Sequence, residues 1–142
     1  MTDSDTEATA MRDGLLDKPL VPVADAADAE ATYTALVSHV DPADTQPVVI
    51  HVRTDDTEDG RAAVERFESL AAADGMAVET EISRRGDITE AIIAAADTVD
   101  ASAIVFCSRG GSAWFDLLAG GVRTSLMAKS DQPVVMLPLE AA

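Results

Sequence analysis

Several residue types are scarce in this chain of 142 residues, and each shortage excludes a class of protein. The one cysteine, Cys107, excludes an intrachain disulfide framework and a thiolate-rich metal site. Ten Lys and Arg against 26 Asp and Glu give a net charge of -16, which excludes the basic face that nucleic acid and anionic membranes require. No apolar run approaches the roughly 20 residues that cross a bilayer.

The chain has few aromatic residues, and its first residues are acidic. Its first ten residues, MTDSDTEATA, lack the basic and apolar regions of a secretory signal peptide. Aromatic residues make up only 4% of the chain, but hydrophobic residues make up 47%, which is enough for the core of one domain. We therefore expect a cytoplasmic protein with one domain at 18–142, preceded by a flexible acidic extension at 1–17.

The acidic residues are spread along the whole chain and are not gathered in one block. Seventeen of the 26 are Asp, eight of the ten basic residues are Arg, and Ala occurs 26 times. A surface that repels itself is stable where salt screens its charges, with a Debye length of about 3 Å near 1 M. The composition is typical of halophiles that accumulate salt, and an ordinary acidic cytosolic protein is the alternative.

Short apolar runs alternate with helical patterns along the chain. The segments typical of buried or edge strands are 19–23, 47–52, 76–83, 103–106 and 133–137. The segments with helical periodicity are 26–40, 61–74, 87–99 and 121–128. Five strands alternating with four helices predict right-handed crossovers and a three-layer α/β domain with a mostly parallel sheet.

Three residues mark the ends of these elements. Pro22 cannot donate a backbone hydrogen bond, as a residue of a central strand would, and this predicts that the first strand ends there. Asp25 is suited to cap the first helix, and Gly75 is suited to end the second.

The strand ends are the first place to look for a ligand. In open parallel sheets, ligands bind outside the carboxyl ends of the strands, at the point where the strand order reverses. Three such ends contain polar or glycine residues: Ala24-Asp25, Val52-Arg53 and the segment 107–112.

The last of these ends is rich in glycine. Gly110 and Gly111 beside Arg109 favour a nest of backbone N–H groups for an anion. Gly120-Gly121 then leads into a predicted helix, whose N-terminus favours a phosphate. The alternative is that these glycines only make tight turns and that Arg109 is a solvated charge.

The remaining candidate residues favour structural roles. Cys107 fits a small packing residue better than a redox-active thiol. His51 lies in an apolar strand and is expected to be a core or rim histidine, whereas His39 lies at a helix end and complements the helix dipole. Since no Ser-His-Asp or metal-ligand spacing occurs, we expect neither an enzyme nor a metal site.

Three segments resemble the universal stress protein (UspA) family. They are Pro19-Leu20-Val21-Pro22-Val23, Ile50-His51-Val52 and the run from Ile104 to Leu137. The resemblance covers about residues 18–138, and the closing segment IVFCSRGGSAWFDLLAGGVRTSLMAKSDQPVVMLP is similar to the family signature over its whole length. It implies an adenine nucleotide alpha hydrolase-like, Rossmann-like domain with strand order 3-2-1-4-5. The acidic composition makes the chain similar to a haloarchaeal-type member.

One branch of that family binds ATP or AMP through Gly-x2-Gly-x9-Gly-Ser/Thr and an Asp directly after the first strand. This chain keeps Gly110 and Gly120 but has Cys107, Gly121 and Ala24 at the other three positions, with Asp25 one residue late. The resemblance implies a nucleotide site formed by Pro22, Val23, Asp25, Val52, Arg109, Gly110, Gly120, Gly121, Val122 and Arg123. Arg109 and Arg123 offer charge-assisted contacts to phosphate in place of the lost groups.

The resemblance also implies a function and an assembly. The function is that of a small stress-response or regulatory protein that binds ATP or AMP as a signal without turnover. The alternative is a nucleotide-free dimeric interaction module with a degenerate motif. The assembly is a homodimer through the last strand: Pro133, Val134, Val135, Met136 and Leu137. An adenylating enzyme would need a Ser-Gly-Gly-x-Asp-Ser loop after the first strand, and Ala24-Asp25-Ala26-Ala27 provides none.

Overall fold

The computed structural model describes residues 14–23, 25–52, 59–83, 88–107 and 131–137. The strands and α-helices in these ranges are β1 (Pro19–Pro22), α1 (Ala26–Val37), β2 (Val48–Val52), α2 (Asp59–Ala73), β3 (Glu79–Ser83), α3 (Ile88–Val99), β4 (Ala103–Cys107) and β5 (Val134–Leu137). Short 3-10 turns at Gly14–Leu16 and Pro42–Asp44 precede β1 and β2. The helix predicted at 121–128 lies outside the described residues.

The five strands form one parallel sheet in the order β3-β2-β1-β4-β5. This confirms the predicted parallel sheet and the strand order 3-2-1-4-5. Because parallel neighbours need long crossovers, α1 connects β1 to β2, α2 connects β2 to β3, and α3 lies between β3 and β4. The strand order reverses between β1 and β4, since the chain first extends the sheet on one side of β1 and then on the other.

Helices cover both faces of the sheet, which confirms the predicted three layers. On one face α1 and α2 pack over side chains such as Val21 and Val49. On the other face α3 packs over side chains such as Leu20 and Ile50. Successive strand residues point to opposite faces, and both faces are buried, so the central strands appear in the sequence as unbroken apolar runs.

The helix caps lie where the sequence predicts them. Asp25 precedes α1, and its Oδ1 accepts a hydrogen bond from the backbone N of Asp28 at 2.7 Å. Gly75 follows α2 with a φ of 75°, a conformation that favours glycine. Across it the N–H of Met76 donates to the carbonyl of Ala71 at 2.9 Å, which closes the end of the helix.

Some element boundaries differ from the predicted ones. α1 ends at Val37 and not at residue 40, although the N–H of Val40 still donates to the carbonyl of Leu36 at 3.0 Å. The chain therefore continues as a hydrogen-bonded turn, which keeps the helical spacing of the apolar side chains. α2 begins two residues earlier, at Asp59, and β4 extends by one residue to Cys107.

A buried tyrosine joins α1 to the end of α2. Tyr33 is 5% exposed, donates its hydroxyl hydrogen to the carboxylate of Asp74, and packs edge-on against Phe67 with 5.3 Å between ring centroids. Burial, followed by the hydrogen bond to Asp74 and its charge, raises the pKa of Tyr33 above its ordinary value. The contact therefore requires a neutral phenol.

We expect this contact to make stability depend on pH above about 10, where a tyrosine in the unfolded chain ionises. The folded-state pKa of Tyr33 is raised, so its contribution is complete below that pH and is lost as the pH rises further. Tyr33→Phe should cost about 1 kcal/mol at neutral pH and remove this part of the pH dependence. Denaturant unfolding of both proteins measures the two effects.

The chain has one tyrosine, so the ultraviolet absorbance of the phenolate reports on Tyr33 alone. The folded protein should titrate at higher pH than the chain in denaturant. Equal midpoints in the two states would contradict the contact.

Candidate ligand-binding site

The carboxyl ends of β1 and β4 lie on either side of the point where the strand order reverses. The last residue pair between them is Leu20 with Ile104, whereas β1 stays paired with β2 as far as Pro22 and β4 continues to Cys107. The two central strands thus stop pairing before either of them ends. We call the region between their carboxyl ends the switch-point crevice, since this is where open parallel sheets bind ligands.

Pro22 explains why this pairing stops. Backbone groups of successive strand residues point alternately to the two neighbouring strands, and the N–H of Val23 donates to the carbonyl of Ile50 in β2 at 2.9 Å. Pro22 therefore faces β4, and it has no N–H to donate there. The prediction that the first strand ends at Pro22 is confirmed.

Val23 is held by hydrogen bonds on both sides of its backbone. Its carbonyl accepts a hydrogen bond from Nδ1 of His51 at 2.8 Å, which joins β2 to the end of β1. The half-buried ring of His51 lies against Gly60 in the first turn of α2, where an added Cβ would be 2.2 Å from Cδ2 of the ring. His51 therefore has the rim position that the sequence predicts, and it packs three elements together.

Asp25 lies beside the crevice, at the N-terminus of α1. Its side chain is half-buried, and the capping hydrogen bond uses one of its two carboxylate oxygens. Asp28, one turn further along, is 1% exposed. The Asp25 carboxylate complements the positive end of the helix dipole here, so this side of the crevice favours hydroxyl groups over a phosphate.

Cys107 and Val52 end the strands on either side of β1. Cys107 is 5% exposed and packs in the core on the side of α1 and α2, paired with Leu137 of β5. Its thiol therefore lies in the core, as expected for a packing residue. Val52 is buried on the opposite face, beside α3.

The structure brings four of the predicted site residues together at the carboxyl ends of β1 and β2: Pro22, Val23, Asp25 and Val52. The other six lie outside the described residues, together with Ala24: Arg109, Gly110, Gly120, Gly121, Val122 and Arg123. Sequence reasoning missed the role of Gly60. The predicted helix began at residue 61 and left Gly60 in the preceding loop, so its place in the first turn of α2 was not apparent.

A separate depression of about 840 Å³ lies at the amino ends of β1 and β2 and contains none of the predicted site residues. Its walls come from the chain before β1 and from the connection between α1 and β2: Leu15, Leu16, Asp17, His39, Val40, Ala43, Asp44 and Gln46. Nδ1 of His39 donates to the carbonyl of Ala35 at 2.8 Å, which agrees with its predicted place at the negative end of α1.

Within the described ranges, no three His, Cys, Asp or Glu side chains are grouped so as to hold a metal ion. None of the helices in those ranges has both the length and the apolar character needed to cross a membrane.

A three-layer domain with strand order 3-2-1-4-5 and a crevice beside its first strand is a Rossmann-like, doubly wound α/β domain. The sequence profile of the Universal stress protein family matches residues 4–138. The chain therefore belongs to the universal stress protein family. No protein of curated function matches it.

Solved universal stress proteins have the same fold. One from Archaeoglobus fulgidus, in complex with dAMP, is 22% identical over 84% of this chain and 96% of its own, with a TM-score of 0.63. One from Burkholderia pseudomallei is 21% identical over 87% and 97%, with a TM-score of 0.66. A third, in complex with cAMP, is 18% identical over 88% and 99%, with a TM-score of 0.63.

We expect Gly60→Ala to destabilise the protein by about 1–3 kcal/mol, because the new methyl group would overlap the ring of His51. Gly14→Ala is the matched control, since a Cβ there meets no atom within 4 Å. Denaturant unfolding measures both changes. In a His51→Ala background the cost of Gly60→Ala should fall, and an equal cost in both backgrounds would contradict the contact.

Proposed function

We propose that this protein is a small cytosolic stress-response or regulatory protein that binds an adenine nucleotide, ATP or AMP, as a signal and does not turn it over. The observation that carries the proposal is the switch-point crevice, which begins at Pro22 and has the Asp25 carboxylate beside it. Membership of the universal stress protein family supports it, as do the related proteins in complex with dAMP and cAMP.

The charges around the crevice give the nucleotide an orientation. The second carboxylate oxygen of Asp25 accepts a hydrogen bond from a ribose hydroxyl. The backbone at the strand ends, at Val23 and Val52, borders the base, since both side chains are buried on opposite faces of the sheet. Phosphate is repelled by the carboxylate of Asp25. It instead binds the glycine-rich segment of Gly110, Gly120 and Gly121, for which Arg109 and Arg123 offer positive charge.

The alternative is a nucleotide-free interaction module. It is favoured by three departures from the nucleotide motif, which are Ala24, Cys107 and Gly121. Each removes a contact or adds a side chain, and a net contribution of about 1 kcal/mol for each lost hydrogen bond would weaken binding considerably.

Calorimetric titration with AMP, ATP and cAMP in molar KCl tests the proposal. We expect binding by the wild type and its loss in Gly110→Val. Asp25→Ser should bind about tenfold less tightly, because serine keeps the helix cap but removes the carboxylate. Its unfolding free energy should stay close to that of the wild type, whereas Asp25→Ala should lose about 1 kcal/mol. Absence of binding by the wild type would favour the nucleotide-free module.

The acidic surface supports a further part of the proposal, namely that the protein is a haloarchaeal-type member adapted to concentrated salt. A net charge of -16 on a chain of this length produces repulsion that salt screens. We also propose that residues 18–142 form the domain and that residues 1–17 are an extension of it.

We propose that the protein forms a homodimer through β5, with residues 133–137 at the interface. β5 is the edge strand beside β4, and its residues Val134, Val135 and Met136 are half-buried and uncharged. The N–H of Ile104 donates to the carbonyl of Pro133, so the backbone groups of Val134 and Met136 point away from β4. An edge of this kind favours pairing with a second copy.

Met136→Pro should convert the dimer to a monomer, because proline removes one outward donor without removing a hydrogen bond to β4. Met136→Leu is the matched control and should remain dimeric. Sedimentation in molar KCl measures the assembly, and circular dichroism checks the fold. A dimer that persists in Met136→Pro would move the interface away from β5.

A further inference from the structure

The opposite edge of the sheet is formed by β3, and within the described ranges only β2 pairs with it. Four successive residues of β3 are exposed: Glu79, Thr80, Glu81 and Ile82. Ile82 is 36% exposed, which is unusual for a large apolar side chain in this structure. Exposed strand edges offer backbone hydrogen-bonding groups to a second extended chain.

The backbone of β3 presents these groups at two residues. The N–H of Glu79 donates to the carbonyl of Pro47, so Glu79 and Glu81 direct their backbone groups to β2. Thr80 and Ile82 therefore direct theirs away from the sheet. Among the described residues nothing pairs with these four outward groups.

A shallow groove runs along the same edge, between β3 and α2. It has a volume of about 330 Å³ and is lined by Arg61, Val64, Glu65, Glu68, Thr80, Glu81 and Ile82. Thr80 and Ile82 pair with Val49 and His51, so their side chains point to the α2 side of the sheet, into this groove. An extended chain added to β3 would place every second side chain there, next to Ile82.

Carboxylates surround this edge on both faces of the sheet. Glu65 and Glu68 are exposed on α2 beside the groove. Glu79 and Glu81 pair with Val48 and Ile50, which face α3, so their side chains lie on the opposite face.

One guanidinium, that of Arg61, lines the groove. Arg66, also on α2, is bonded to Glu30 at 3.2 Å and so belongs to the contact with α1. Counting the described residues alone, four glutamates face one guanidinium, so this part of the edge is negative. A second copy of β3 would bring glutamates opposite glutamates.

From these observations we propose that the outer edge of β3 binds an extended basic segment of a partner protein by strand addition. The segment alternates apolar side chains, which lie in the groove beside Ile82, with Lys or Arg side chains, which pair with Glu79 and Glu81. Backbone hydrogen bonds to Thr80 and Ile82 supply affinity, and the charges and the groove supply selectivity. This interaction is separate from the crevice and does not depend on nucleotide binding.

A capped peptide of alternating lysine and valine, labelled with a fluorophore, is the probe. We expect it to bind the full chain, with anisotropy as the readout, in a KCl concentration at which the protein is folded. A control peptide has the same sequence, with N-methyl groups on the residues whose backbone N–H groups face β3. It keeps the charge and should bind at least about fivefold more weakly, since it lacks the backbone donors.

Two pairs of variants test the protein side. Thr80→Pro removes an outward N–H that takes no part in the ladder with β2, so the fold should persist while the affinity falls about fivefold. Thr80→Val keeps that N–H and should bind like the wild type. Glu81→Lys should weaken binding more than Asp44→Lys, an equal charge reversal on an exposed turn that does not line the groove.

The remaining outcomes would overturn the proposal. No binding of the peptide would do so directly. The N-methylated peptide could bind as tightly as the unmodified one, or Thr80→Pro could bind the peptide as tightly as the wild type. Either result would show only general attraction between opposite charges. Self-association that Thr80→Pro abolishes would make a second copy the occupant of this edge.

Discussion

The missing N–H of Pro22 is the constraint on which the candidate site depends. β1 is the central strand, and loss of its pairing with β4 beyond Leu20 leaves the end of β1 attached to β2 alone. His51 makes up for part of this loss by binding the carbonyl of Val23, and Gly60 leaves room for its ring. One proline, one histidine and one glycine thus determine the position at which α1 and its capping Asp25 begin.

The two edges of the sheet differ in charge, and this difference separates two kinds of contact. β5 has only apolar residues, so self-pairing meets no repulsion there. β3 has two exposed glutamates, which oppose pairing with an identical strand and favour a basic one. The crevice lies between these edges, at the centre of the sheet. Ligand, second copy and partner segment would therefore occupy three separate parts of one small domain.

Much of the fold was predictable because its signals are local. Apolar runs and helical spacing predicted all five strands and the three described helices, and Pro22, Asp25 and Gly75 end or begin elements where expected. The exact end of α1 was not predictable, because the turn after Val37 keeps helical spacing without remaining a regular helix. Of the candidate site, the strand ends near β1 were predictable from position alone. The bond from His51 to Val23 was not.

The sequence by itself determined the elements, the two buried faces of the sheet, the parallel topology and the excess of negative charge. These properties depend on residues that are close together in the chain or on composition. Only the tertiary structure decided that His51 binds Val23, 28 positions away, and that Tyr33 binds Asp74, 41 positions away. It also decided which edge exposes Ile82 and the backbone groups of Thr80. Such contacts depend on how whole elements pack, which the periodicity of a single segment does not specify.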